Sequence, residues 1–242
     1  MIPAPAFLAN PERFMAFSRW AAPMFGVIAV VMAAAGLWLG FTAPEDYQQG
    51  DTIRIMFIHV PAAWLGLFAY ACLGVASFLA LVFRHTLADA AAQAAAPLGA
   101  GFTLLALITG SLWGRPMWGA WWVWDAKLTS VLVLFLFYLA YIALRASLDD
   151  EAKAARAAAI LALVGLINLP IVHYSVTWWN SLHQGSSVFA KGGPAMPAVY
   201  LTPLLLMALA YTSAFGSLWL VRIRGEVWRR RAEAAAMRAA RG

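Results

Sequence analysis

Six apolar stretches of membrane-crossing length divide this chain of 242 residues, near 21–42, 57–83, 98–113, 128–145, 158–176 and 200–221. A helix needs about 20 apolar residues to cross the hydrocarbon layer, with a range of about 17–25. The third stretch is the shortest, and the tryptophan-rich run after it is expected to extend it. Lipid offers no partner for backbone N–H and C=O groups, so only helices or closed barrels can span it. The expectation is an all-α polytopic fold with six transmembrane helices, forming one membrane domain over residues 1–242. Composition agrees: 63% of residues are hydrophobic and 12% charged, whereas a soluble domain is about half apolar and about a quarter charged.

Basic residues orient the helices, because cytoplasmic loops carry excess Lys and Arg. Thirteen fall in the N-terminal arm, the second and fourth loops and the C-terminal tail; four (Arg54, Arg115, Lys127, Lys191) fall in the first, third and fifth loops. Both termini are therefore expected in the cytoplasm and the odd loops in the periplasm. The tail, 222–242, mixes arginine with alanine and reads as a basic helix lying on or leaving the cytoplasmic surface, through contact with anionic lipid or with a cytoplasmic partner. The net charge of +6 does not indicate nucleic acid, since most of the excess sits in that tail. A single cysteine, Cys72, leaves no disulfide framework and no CxxC or CxxCH motif.

Five tryptophans, Trp113, Trp118, Trp121, Trp122 and Trp124, fall within twelve residues in the third loop. An aromatic belt would enrich tryptophan at both interfaces alike. Here nine of the twelve lie at or near the outward side. Were 117–126 helical, Trp118, Trp122 and Asp125 would share one face. Such a cluster suits a large flat aromatic ligand at the membrane boundary. His59, in Met-Phe-Ile-His-Val-Pro (56–61), and His183, in Trp-Trp-Asn-Ser-Leu-His (178–183), are expected on the same side. Neutral imidazole is a good ligand for haem iron. Two imidazoles from separate segments and an aromatic platform together point to non-covalent haem b with bis-histidine ligation. Arg54, Arg115 and Lys127 are candidate partners for its propionates. Asp125 could pair with one of these cations or accept an imidazole or indole proton. Pro61 suits the first turn of the second helix. His85 reads as a basic interface residue, and His173, inside the fifth stretch, as a packed donor supporting the site. No phosphate-cradling GxxxxGK[ST] run is present, so the chain is not itself an ATPase.

The run Trp-Gly-Arg-Pro-Met-Trp-Gly-Ala-Trp-Trp-Val-Trp-Asp-Ala-Lys-Leu-Thr-Ser (113–130) resembles the tryptophan-rich WWD segment of haem-handling proteins. With six spans and His-Tyr-Ser-Val-Thr-Trp-Trp-Asn-Ser-Leu-His-Gln-Gly (173–185), nearly the whole chain is similar to the CcmC family of bacterial cytochrome c maturation. The resemblance implies haem held at the periplasmic face of the inner membrane, with 113–130 as platform and His59 and His183 as axial ligands. It implies presentation to a CcmE-like chaperone, whose histidine becomes joined to a haem vinyl group. It also implies a CcmA-like ATPase, a CcmB-like membrane subunit and a small CcmD-like protein as partners in an ABC-type complex. Whether this chain promotes the covalent attachment stays open. Lys127 stands where the family carries arginine; lysine keeps the charge but lacks the planar fork. The competing reading is a b-type cytochrome subunit that passes electrons, a class that places its ligand histidines within spans.

Overall fold

The computed structural model describes residues 10–183, 185, 188 and 193–240. Lys191, Gly192, Arg241 and the start of the chain lie outside them. The regular structure among the described residues is helical, with no named strand. The helices are α1 (Pro11–Thr42), α2 (Met56–Phe83), α3 (Thr86–Trp118), α4 (Ala126–Ser147), α5 (Glu151–Gly165), α6 (Asn168–Trp178) and α7 (Ala198–Ala239). α5 and α6 together make one crossing, so among the described residues six helical segments are long and apolar enough to span a membrane.

The crossings alternate in direction, which sets two ends. The terminal end carries the start of α1 and the end of α7, bridged by Arg231 and Glu12 at 2.7 Å. The distal end carries the α1–α2, α3–α4 and α6–α7 connections.

Helix limits follow from local chemistry. Asn10, His85, Asp125 and Asp150 cap the starts of α1, α3, α4 and α5, each accepting a backbone N–H from the first turn. His85 is thus a helix cap rather than a bare interface cation. α3 begins near 86, not 98. The polar residues Asp89 and Gln93 that make 84–97 read as a linker instead sit in a packed ionic cluster, where Arg145 binds Asp89 at 3.0 Å and Gln93 at 2.8 Å. The fifth crossing breaks at Leu166–Ile167. Pro170, four residues after Leu166, has no N–H for that carbonyl, and its ring crowds it. A 3₁₀ turn over Asp51–Ile55 feeds straight into α2, so Pro61 falls in the second turn, not the first. α7 runs unbroken from the membrane through Arg222 to Ala239, so the described tail leaves the bundle rather than turning to lie along its surface.

Packing joins α1 to α7 and α2 to α3 as long antiparallel pairs, with α4, α5 and α6 closing the bundle. Along the α1–α7 seam the buried residues of α1 are small, including Ser18, Ala22, Ala29 and Gly36. Small residues let backbones approach in lipid, where dispersion and hydrogen bonds drive association. Tyr138 donates to the Gly66 carbonyl at 2.8 Å (α4 to α2), Trp219 to Ala91 at 2.8 Å (α7 to α3), and Asn168 to Ser130 at 2.9 Å (α6 to α4).

Candidate haem site at the distal end

His59 lies in the first turn of α2 and faces the last turns of α3. Its Nδ1 is 3.1 Å from the Ala106 carbonyl and 3.1 Å from Thr109 Oγ1. Thr109 spends its own proton on the Leu105 carbonyl at 2.7 Å. Both neighbours therefore accept, which puts the ring proton on Nδ1 and leaves the Nε2 lone pair free for a metal. Gly110 makes the approach possible: a β-carbon there would stand 2.9 Å from His59 Cε1. Trp113 meets the imidazole edge-on at 5.7 Å and donates its indole N–H to Gln49 at 3.0 Å.

His183 reaches the same end from the segment after α6. Trp118, the last residue of α3, meets it edge-on at 4.8 Å. Asp125 organises this segment. Its Oδ1 accepts the Leu128 N–H at 2.8 Å as the cap of α4. Its Oδ2 accepts the Ser181 hydroxyl at 2.5 Å and the Leu182 N–H at 3.3 Å. His183 Nδ1 lies 3.5 Å from the same Oδ2, a contact too long or bent to serve as a formed hydrogen bond, so this nitrogen is buried without one. Burial opposes the charge on Asp125, but the Ser181 and Leu128 hydrogen bonds and the neighbouring His183 outweigh it and hold the carboxyl below its ordinary range. His183 is shifted below its ordinary value of 6.5, because burial outweighs the pull of Asp125 and Lys127 adds repulsion. It is a neutral imidazole at pH 7, the form that ligates iron. The two imidazoles and Lys127 are near enough to feel one another electrostatically.

Arg54, Arg115 and Lys127 are each engaged. Arg54 pairs with Asp51 at 2.8 Å, which offsets its charge. Lys127 donates to the Val172 carbonyl of α6 at 2.9 Å, and Arg115 to the Gly119 carbonyl. A carbonyl partner carries no formal charge, and neither Arg115 nor Lys127 is in an ion pair among the described residues, so both have charge to offer an anion.

The tryptophan run does not form a helix past Trp118. Gly119, at φ 75, ends α3 in the left-handed conformation, and 119–125 is irregular up to the Asp125 cap. Trp118, Trp122 and Asp125 therefore share no helical face. Trp113 and Trp118 stand beside the histidines. Trp122 and Trp124 pack edge to face at 5.4 Å and line a separate cleft of about 550 Å³ with Leu107, Ile108, Leu112 and Leu132. At 100° per residue, positions 107, 108, 111 and 112 of α3 lie opposite the 106, 109, 110 and 113 face that meets His59. Trp121 is exposed, its carbonyl held by the Ser111 hydroxyl at 2.8 Å. His173 is not packed inside: it is exposed on α6 and meets Tyr174 edge-on at 4.7 Å. Thr109, Gly110, Gln49 and Ser181 carry no signature in sequence, because their roles arise from contacts across 47 or more positions or from a close approach.

The donor chemistry fits haem. No three His, Cys, Asp or Glu side chains gather as a bare-ion site among the described residues. A porphyrin brings four nitrogens of its own and needs only axial ligands. Comparison with known proteins points the same way. The family model CcmC, Heme exporter protein C, matches residues 5–238. Heme exporter protein C of Bradyrhizobium diazoefficiens is 54% identical over 224 residues, covering 93% of this chain and 85% of the relative. That of Escherichia coli K12 is 47% identical over 219 residues, covering 90% and 88%. A ccmC-like mitochondrial protein ascribed to cytochrome c biosynthesis in Marchantia polymorpha is 41% identical over 218 residues, covering 90% and 92%. With a match across almost its whole length, the chain belongs to the CcmC family, heme exporter protein C.

Proposed function

We propose that this chain binds haem b between His59 and His183 at the periplasmic face of the bacterial inner membrane. From there it presents the haem to a CcmE-like chaperone for c-type cytochrome biogenesis, within an ABC-type complex with CcmA-, CcmB- and CcmD-like subunits. One observation carries the reading. Two histidines from different segments stand beside tryptophans of one helix end, and His59 has its Nδ1 committed to acceptors so that Nε2 is left for iron. The relatives' names supply the process, haem export and cytochrome c biosynthesis. Haem supplies the iron and the vinyl groups that a chaperone can take. The chain's own residues do the rest: α3 fixes His59, Asp125 holds the segment of His183, Trp113 and Trp118 flank the ligands, and Lys127 and Arg115 offer positive charge to propionates. The excess of basic residues at the terminal end supports the orientation.

The purified protein should show a Soret band with low-spin six-coordinate features. His59→Ala or His183→Ala should weaken bound haem, and added imidazole should partly restore the spectrum. Unchanged low-spin spectra in both single variants would refute the ligation.

A further inference from the structure

Another cleft, of about 890 Å³, opens at the terminal end between α2, α5 and the α2–α3 turn, away from His59 and His183. Arg84, His85, Arg156 and Arg230 stand among its lining, and its walls include Leu81 and Ile160. The acidic groups there are already matched. Asp89 binds Arg145 at 3.0 Å and also Arg230. Glu151 binds Arg229 at 2.8 Å, and Asp150 caps α5 and pairs with Lys153 at 3.4 Å. Arg84 and Arg156, by contrast, have no ion pair or hydrogen-bond partner among the described residues. The cleft therefore holds two uncompensated guanidinium groups.

Arg84 sits where glycine would cost least. It ends α2 in the left-handed conformation, at φ 53 and ψ 37, which crowds the β-carbon of an L-residue against the backbone. The chain carries that strain with an arginine in place. His85 sharpens the ligand class. Its Nδ1 accepts the Ala88 N–H at 3.1 Å, so in the neutral ring Nε2 holds the proton. It is a donor there, not an iron ligand, so the cleft suits an anion rather than a second haem iron. The α5 wall of the cleft is charged near its start, with Glu151 and Arg156, and apolar through Ala152, Ala155, Ala159 and Ile160; from Glu151 to Ile160 it rises nine helical steps, about 13 Å. Ile160 is 47% exposed, so that wall opens sideways toward the hydrocarbon layer.

We propose that this cleft is a binding site for an anionic phospholipid. The phosphate lies between Arg84 and Arg156 with His85 donating to it, and an acyl chain runs along Leu81 and Ile160. The proposal is independent of the haem reading. Free phosphate shares the headgroup chemistry but gains nothing from the apolar wall.

The test is native mass spectrometry of the full chain titrated with phosphatidylglycerol or phosphatidylcholine. The wild type should retain phosphatidylglycerol selectively. Arg84→Gln with Arg156→Gln should cut that preference by roughly twenty- to thirtyfold, the value for two cations at about 1 kcal/mol each near anionic lipid. Arg84→Gly relieves the backbone while removing one charge, so it should lose lipid preference without losing thermal stability. Arg222→Gln, a basic residue outside the cleft, should keep the preference. Equal retention of the two lipids, full retention in the double variant, or an equal loss in Arg222→Gln would overturn the site. Displacement of the lipid by millimolar inorganic phosphate would assign the cleft to a soluble anion and overturn the lipid.

Discussion

Asp125 joins two jobs in one side chain, and replacing it by Ala or Asn separates them. Its Oδ1 caps α4 through Leu128, and its Oδ2 holds Ser181 and Leu182 beside His183. The carboxylate is 6% exposed, so water does not readily replace what is lost. Removing an Asp cap costs about 0.5–2 kcal/mol, and a hydrogen bond to a charged group contributes about 1.5–3 kcal/mol. Asp125→Ala should therefore ease local opening by roughly 2–5 kcal/mol, or about thirty- to four-thousandfold at 1.4 kcal/mol per decade. Asp125→Asn keeps a capping oxygen, since Asn caps about as well as Asp, but places an uncharged amide against Ser181 and Leu182. Hydrogen–deuterium exchange in lipid nanodiscs reads the two jobs separately: the Leu128 amide reports the cap and the Leu182 amide the staple. In Asp125→Ala both should lose protection; in Asp125→Asn only Leu182 should. A Leu182 amide exchanging at the wild-type rate in Asp125→Ala would refute the staple. Equal losses at both amides in Asp125→Asn would refute the division.

Because Trp113 and Trp118 stand beside His59 and His183 while Trp122 and Trp124 line a separate cleft, Trp113→Ala with Trp118→Ala should lower haem content per mole more than Trp122→Ala with Trp124→Ala; the opposite ranking would move the haem to the cleft of Trp122 and Trp124. Gly110→Ala would drive a β-carbon onto His59 at 2.9 Å, so its electronic spectrum should depart from low-spin bis-histidine while circular dichroism stays helical. Acid should destabilise the fold in two windows, read as the melting temperature against pH. His183 is shifted down from 6.5, so the unfolded chain takes up the proton first and stability falls as pH drops below about 6.5. Asp125 is shifted down from 3.8, so its contribution is complete at neutral pH and is lost as pH falls below about 4. A melting temperature flat from pH 7 to 5 would contradict the first window.

The crossings were legible in sequence because each needs only a long apolar run. Their limits were less so. The stretch from Thr86 to Pro97 reads as a linker on account of Asp89, Gln93 and Pro97, yet Asp89 is matched by arginines from α4 and α7, positions no local window can connect. His59, His183 and Asp125 stood out because imidazole and carboxylate chemistry is carried by residue type. The division of the tryptophans was hidden for a different reason. Gly119 stops the helix, and an irregular segment has no period from which to read a face. Thr109 and Gly110 look like ordinary helix residues until α2 is laid against α3.

The two ends of the bundle differ in how dissolved salt reaches them. At the terminal end the helices are tied by ion pairs, Glu12 to Arg231, Glu151 to Arg229, and Asp89 to Arg145 and Arg230, many of them partly open to water. Near the histidines the ties are caps, carbonyl contacts, ring edges and one shielded carboxylate. Mobile ions shorten the reach of exposed charges to about 8 Å at physiological ionic strength and about 3 Å at 1 M. Raising ionic strength therefore loosens the anchorage of α7 to α1, α3 and α5 while leaving the imidazoles seated. Brine and fresh buffer act on opposite ends of this chain unequally, and a purification carried out in high salt tests the terminal-end ties without touching the imidazoles.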